Sequence, residues 1–298
     1  MKNRKFSAPL GASLIVISSF FYASYGIWTK LLGNFFDGYT ASALRSILVV
    51  IILGSLALLY RKFEPLHLKK NWIYISGLFI TSLFTWGPYY YAILLAGVGI
   101  SLAVNYACIV IGTFFFAWIF ASEQFTKDKA YSAILGIIGL VLIFSPTISN
   151  LAWLPIAAAC LSGLSSGANN VFLKRVHYNP TQSTIVGWTS GIIANLLMAF
   201  LLGKSYPAFR FQIQWFYLLL FAIASVISSW FFVKGLKIID AGAAGILGLL
   251  EIVFGVILGI VLFHEKPSTI ALFGIALVII AAAIPYIKDY NSKKGTLQ

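Results

Sequence analysis

Residues Gly242–Phe263 read GAAGILGLLEIVFGVILGIVLF, a run of about six helical turns interrupted by a single charge, Glu251. A hydrocarbon core about 30 Å thick takes about 20 helical residues to cross, so this stretch alone is long enough to span a bilayer. The same length recurs outward from it in both directions. Mostly apolar runs lie at Leu10–Leu32, Thr40–Tyr60, Trp72–Ala96, Ile100–Ala121, Tyr131–Phe144, Leu151–Leu173, Gln182–Leu202, Trp215–Val233 and Thr269–Ile287, making ten in all in a chain of 298 residues. The pattern predicts an all-α membrane protein with ten transmembrane helices.

Composition points the same way, with 60% hydrophobic residues, only 10% charged residues and a mean hydropathy of +0.92. Soluble domains carry about 25% charged residues. Because the apolar runs extend from end to end, no stretch remains for a separate aqueous domain. The net charge of +13 does not imply nucleic acid as a partner, since the basic residues stand at the ends of spans. They report topology instead. With a cytoplasmic amino terminus, Lys2, Arg4, Lys5, the Arg61–Lys70 loop, Lys127, Lys129, Lys174, Arg175, Lys234, Lys237, Lys288, Lys293 and Lys294 all fall inside, and only Lys30, Lys204, Arg210 and Lys266 fall outside. That imbalance predicts a multi-pass protein of the cytoplasmic membrane with both termini inside. The first run is too long for a signal core and lacks a small-residue cleavage site, so it reads as a retained helix. Cys108 and Cys160 fall within spans, which argues against a disulfide framework or a metal cluster. Neither a metal nor a cofactor is expected.

Five spans followed by five spans make the second half enter the membrane from the opposite side. The two halves also align in sequence. Tyr91–Ala103, YAILLAGVGISLA, leads into a helix that ends Ala121-Ser122-Glu123; Val233–Gly245, VKGLKIIDAGAAG, leads into one that ends Phe263-His264-Glu265. Each half thus has a helix, a short turn containing Gly and Ala, a second helix, and a glutamate at its exit. Lys30 and Lys174 close the first helices of the two halves, where lysine commonly snorkels to the interface. The boundaries expected are residues 1–148 for the first repeat and 149–298 for the inverted second. Inverted repeats enclose a site that opens alternately to either side.

At this level the chain resembles the EamA-type members of the drug/metabolite transporter superfamily. The residues carrying the resemblance are Ala43-Leu-Arg45, the Ala92–Leu102 turn, Glu123, Leu249-Leu-Glu251-Ile-Val-Phe254, and His264-Glu265 with Gly274. The resemblance implies ten helices in two inverted five-helix repeats, and a pathway between the first, third, fourth, sixth, eighth and ninth. It also implies amino acids as the first substrates to consider. One departure is Ile252, which stands where the family commonly has proline after the glutamate of the ninth helix.

Charges at bilayer depth cost about 2.5 to 3.5 kcal/mol on insertion scales, which makes the few present candidates for function. Arg45, five residues into the second span, is either an anchor reaching lipid phosphate or a neighbouring helix end, or a participant in gating or in reading substrate charge. Glu251 lies deeper and must be paired, solvated or protonated. Burial favours its neutral form and a nearby cation its charged form, so it is a candidate proton carrier or cation contact, and otherwise a structural hydrogen-bond partner.

Amides, hydroxyls and aromatic rings form a third group of cavity candidates: Tyr22, Tyr25, Trp86, Tyr90, Asn105, Tyr106, Ser166, Asn169, Asn170 and Trp230. Tyrosine and tryptophan at mid-depth offer both an apolar face and a hydrogen-bonding tip. Ser162, Ser166 and Asn169 share one helix face, which either lines a cavity or joins Gly163 and Gly167 in close helix packing. Gly87-Pro88 is expected to loosen the third span and to mark a gating bend. The glycines of the ninth span read as packing positions, since no Lys-Ser/Thr follows them as in a phosphate loop.

These features predict a secondary transporter that moves a small polar organic metabolite, an amino acid or a similar aromatic or amphipathic compound, by alternating access, with protons as the simplest coupling ion. The alternative is a lipid-handling protein that carries a lipid-linked headgroup between leaflets. An intramembrane enzyme would need paired Asp, Ser with His, or His with Glu at catalytic spacing within the spans, and the sequence has none. The expected partners are a small-molecule substrate and membrane lipids; the sequence leaves open whether the protein is a monomer or a homodimer.

Overall fold

The computed structural model describes residues 7–33, 35–65, 67–145, 153–204, 212–264 and 266–294, and all of its regular elements among these residues are helices. In chain order they are α1 (Ser7–Ala23), α2 (Tyr25–Leu32), α3 (Gly38–Leu59), α4 (Leu68–Ala96), α5 (Val98–Ala121), α6 (Lys127–Phe144), α7 (Trp153–Arg175), α8 (Pro180–Leu201), α9 (Ile213–Leu236), α10 (Ala241–Gly248), α11 (Leu250–Phe263) and α12 (Thr269–Lys294). Taking α1 with α2 and α10 with α11 as single rods, eight rods are long and apolar enough to cross a bilayer. The other two are α6, with Lys127, Asp128 and Lys129 in its first turn, and α12, whose apolar part is the shorter Thr269–Ile284. Large apolar side chains such as Trp118, Phe200 and Phe273 stand at least 65% exposed around the outside, an arrangement suited to lipid rather than to water.

Helix ends repeat between the halves. Asp37 and Asn179, both in extended backbone, cap α3 and α8. The Asp37 carboxylate accepts from Tyr39 N and Thr40 N at 2.9 and 3.2 Å, and Asn179 Oδ1 accepts from Gln182 N at 2.9 Å. Each satisfies backbone donors that the first helical turn leaves open. Gly97, at φ 82°, forms the one-residue turn between α4 and α5. A residue bearing a Cβ adopts that conformation only with strain.

Packing follows the same symmetry. α7 lies between α4 and α5, as α1 lies between α9 and the α10–α11 rod; α3 pairs with α8, and α6 with α12. Exchanging each first-half helix for its second-half counterpart maps this set of pairings onto itself. The tightest seam joins α7 to α5, where a Cβ at Gly163 or Gly167 would collide with the α5 backbone around Asn105 and Thr113. Close approach of this kind is how small residues hold membrane helices together. Between α6 and α12, a Cβ on Gly139 would lie 2.7 Å from Gly274 O, and one on Gly274 would lie 2.5 Å from Gly139 O.

Two expectations change on contact with the structure, and one unforeseen contact appears. α4 runs unbroken through Gly87-Pro88, and Gly87 instead makes room for the Tyr39 hydroxyl. The interruptions fall at Ser24 and Leu249, in the first and ninth spans. Cys108 and Cys160 are free but not isolated, because the α5–α7 seam brings their sulfurs to 3.0 Å. In the ninth span Gly242 does pack closely, against Phe114, but Gly248 and Gly255 meet open space.

Candidate functional site

Both interruptions tighten the backbone locally to i→i−3 bonding. Ser24 N donates to Phe21 O at 3.2 Å and Ile27 N to Ser24 O at 3.0 Å; Leu249 N donates to Ile246 O and Ile252 N to Leu249 O, each at 3.1 Å. Such short tight segments inside a helix often mark functional hinges, and broken spans commonly flank transporter sites. Ser24 is held by its own hydroxyl, which donates to Phe21 O at 2.6 Å and accepts from Trp28 Nε1 at 3.1 Å. α1 packs directly against α10 and α11, so the two breaks belong to neighbouring rods. Tyr22 and Tyr25 flank one break, and Glu251 immediately follows the other.

Arg45, on α3, is turned inward and only 2% exposed. Its guanidinium carbon lies 5.1 Å from the centre of the Tyr25 ring, 5.0 Å from Trp86, 5.4 Å from Trp188 and 4.3 Å from Phe221. Tyr25 and Trp86 come from the first half of the chain, Trp188 and Phe221 from the second, so the cage exists only where the halves meet. Nε and Nη2 have no hydrogen-bond partner among the described residues. An anchor reaching lipid phosphate is therefore not what α3 presents here. The walls are held in turn: Trp188 Nε1 donates to Ser229 Oγ at 2.9 Å, and the Tyr25 hydroxyl lies 3.0 Å from Ser228 Oγ.

Glu251 lies in the first turn of α11, where a carboxylate is favoured by the helix dipole. Tyr106 of α5 is the side chain facing it, and Tyr22, Tyr25 and Tyr89 lie within its electrostatic reach. Tyr22 also feels the charge of Arg45, and its ring lies 5.1 Å from that of Tyr25. Arg45, Tyr25, Tyr22 and Glu251 thus form one polar and aromatic tract across the α2, α3 and α11 side of the bundle. The duplication does not repeat these charges. At the spacing that relates Asp37 to Asn179 and Ser122 to His264, Arg45 corresponds to Gly187 and Glu251 to Ile109.

Other candidates lie elsewhere. Asn105 Nδ2 donates to Ser162 Oγ at 2.8 Å, and Ser162 Oγ donates to Thr85 O at 2.5 Å, which ties α5, α7 and α4 together. Asn169 Nδ2 donates to Thr81 Oγ1 at 3.0 Å, and Ser166 Oγ bonds back to Ser162 O at 2.9 Å. The polar face of α7 is thus a packing seam against α4 and α5. Asn170 is half-buried on the same helix. Tyr90 lies beside Tyr39 with ring centres 6.3 Å apart, near the start of α3. Trp230 turns toward α8, donating to Thr181 Oγ1 at 3.0 Å under the Lys234 ammonium. Trp188, Phe221 and Ser228 join the site without having been singled out in the sequence; Trp188, a lone tryptophan amid the seventh span, was the one visible signal.

At one end of the bundle a cavity of about 500 Å³ is lined by Ala121, Ser122, Glu123, Gln124, Thr126, Lys129, Lys174, Arg175 and Asp240. Two ion pairs of 2.6 Å cross it, Lys174 to Glu123 and Lys129 to Asp240. Lys174 also donates to Ile239 O at 2.6 Å, and the Glu123 carboxylate accepts from Ala241 N and Gly242 N at 2.9 and 3.3 Å. Lys174 is therefore no snorkelling lysine: with Glu123 it joins the ends of α5 and α7 to the start of α10. Glu265, the expected counterpart of Glu123, lies outside the described residues. Among the described residues no cluster of His, Cys, Asp or Glu could hold a metal ion.

Paired helix ends, self-mapping helix contacts and a polar interior between the halves define a polytopic membrane protein built from two copies of one unit. The family model of the EamA-like transporter family matches twice, over residues 9–145 and 153–286, and the chain belongs to that family. A solved structure, titled only as the crystal structure of a protein, is 19% identical and covers 93% of this chain and 97% of its own, with a TM-score of 0.73; it shares the fold. No curated protein matches the chain.

Proposed function

We propose that the protein is a secondary active transporter of the cytoplasmic membrane, moving a small polar organic metabolite by alternating access. The substrate is an amino acid or an aromatic or amphipathic compound of similar size. In this reading the chain crosses ten times as two inverted five-helix units, α6 and α12 included, with both termini in the cytoplasm. The Glu123–Lys174 end of the bundle is then the cytoplasmic mouth.

The observation that carries the reading is the pair of backbone breaks at Ser24 and Leu249 in neighbouring rods, flanked by Tyr22, Tyr25 and Glu251. A structural bundle gains nothing from interrupting two neighbouring rods beside a half-buried carboxyl group, whereas a carrier needs polar groups next to a deformable backbone. Glu251 serves as the proton-coupling group, exchanging its proton as the tract becomes open to one side and then the other.

The test is counterflow in proteoliposomes containing the purified protein, with labelled L-amino acids outside and unlabelled solute inside. Accumulation of label is expected, with a rate that depends on pH. Glu251→Gln should retain exchange and lose the pH dependence. Exchange in Glu251→Gln with wild-type pH dependence removes the proton role, and absence of exchange for amino acids, nucleobases and aromatic acids alike overturns the transporter reading.

A further inference from the structure

We propose that Arg45 is the seat of a carboxylate subsite, and that the transported solute carries a single carboxylate which binds in the plane of the guanidinium between Tyr25, Trp86, Trp188 and Phe221. This rests on the transporter reading above and names the substrate class within it.

A guanidinium has two kinds of surface. Its faces are suited to aromatic rings, and cation–π contact strengthens when the pair is desolvated. Its edge carries N–H donors that π systems do not replace, and a buried donor without an acceptor is costly. The four rings provide for the charge but leave the edge. Nε and Nη2, which lie on one edge of the group and form the fork that grips a carboxylate with two parallel bonds, are the two nitrogens without a partner. In most structural roles a buried arginine has an acceptor in that fork. Here no described carboxylate lies within ion-pair distance, and the second-half position corresponding to Arg45 is Gly187.

Three features narrow the ligand further. One cation stands alone in the cage, so a monoanion neutralises it and a phosphate dianion leaves excess charge in a region of low dielectric. The walls are planar aromatic and indole surfaces, suited to a flat acid group with an apolar or aromatic body. Finally, the cage draws on α2, α3 and α4 from one half and α8 and α9 from the other, so a ligand held there touches both units whose relative movement would carry it.

The experiment uses the purified full-length protein in detergent and in proteoliposomes, with L-phenylalanine, phenylacetate and acetate each compared with its primary amide, and inorganic phosphate alongside. The expected result is that acids raise the thermal midpoint of the wild type at concentrations at least tenfold below those needed for their amides. Phosphate should give no shift. Arg45→Gln should lose this preference, and Arg45→Lys should keep part of it, having charge without the fork. Should Arg45→Gln fail to fold, the acid-to-amide comparison on the wild type decides alone. Equal response to acids and amides, or phosphate matching the acids, overturns the carboxylate subsite. Counterflow of solutes lacking a carboxylate, with none for the acids, overturns it while leaving the transporter reading intact; no counterflow of any solute overturns both.

Discussion

Ser122 and His264 end α5 and α11 in the same left-handed backbone, φ 54° at both and ψ 32° and 31°, and each donates its N–H to the carbonyl five residues back, Ala117 O and Gly259 O. Two non-glycine residues in so uncommon a conformation, each followed by a glutamate, mark corresponding points of the two units. Neither position favours a branched side chain. Ser122→Val and His264→Val should each lower stability by about 1–2 kcal/mol, while Ser122→Gly and His264→Gly should be neutral or mildly stabilising. Thermal unfolding in detergent separates the two pairs.

Glu123 does three things at once: it pairs with Lys174 and accepts the first two amides of α10. Glu123→Gln should loosen that end of the bundle more than Lys174→Met does, because only the former also weakens the cap. With Thr126→Cys as a reporter lining the cavity, alkylation should speed up several-fold in Glu123→Gln. The double variant should cost less than the sum of the singles, since both changes break one network. Unchanged alkylation would show that this network does not hold the mouth shut.

Two described glycines of the helices stand in opposite surroundings to Gly167. A Cβ at Gly167 meets backbone atoms of α5, which cannot turn aside, whereas one at Gly248 or Gly255 meets nothing within 4 Å. Gly167→Ala should therefore be destabilising by about 1–3 kcal/mol or more. Gly255→Ala should be neutral or stabilising by up to about 1 kcal/mol, the helix preference of alanine over glycine. Yield of monodisperse protein and thermal midpoint report the difference.

Lys237 follows the last turn of α9 and donates to Val176 O at 2.8 Å; burial pushes its ammonium down to about 8, with Glu64 opposing the change. The unfolded chain then binds one more proton than the native protein between about pH 8 and the ordinary lysine value of about 10.4. Stability attributable to this group should rise with pH across that window and be flat below it. In Lys237→Met that part of the rise should vanish, as measured by thermal midpoints between pH 7 and 10.

Much of this architecture was legible from the chain. Runs of about 20 apolar residues leave little but helices, and the Ser122-Glu123 and His264-Glu265 endings already aligned the halves. The site was less so, because the rotation of each rod about its own axis is decided by packing. Arg45 reads equally well as an interfacial anchor or an interior group until α3 is set against α8 and α9. Ser162 and Asn169 read as cavity lining or as packing until Gly163 and Gly167 draw α7 onto α5 and α4. The break in the ninth span carries no proline, since Ile252 stands after Glu251, and the proline that does occur, Pro88, sits in an unbroken helix.

The meeting of Gly139 with Gly274 has a mechanical consequence. Where α6 meets α12, main chain approaches main chain at these two glycines, and the side chains of Val278 and Ile143 close over the same point from either side. Such a joint holds the two rods at a fixed, close spacing. The α6–α12 pair is thus a clasp between the two units, and a methyl group added at either glycine would prise its rods apart.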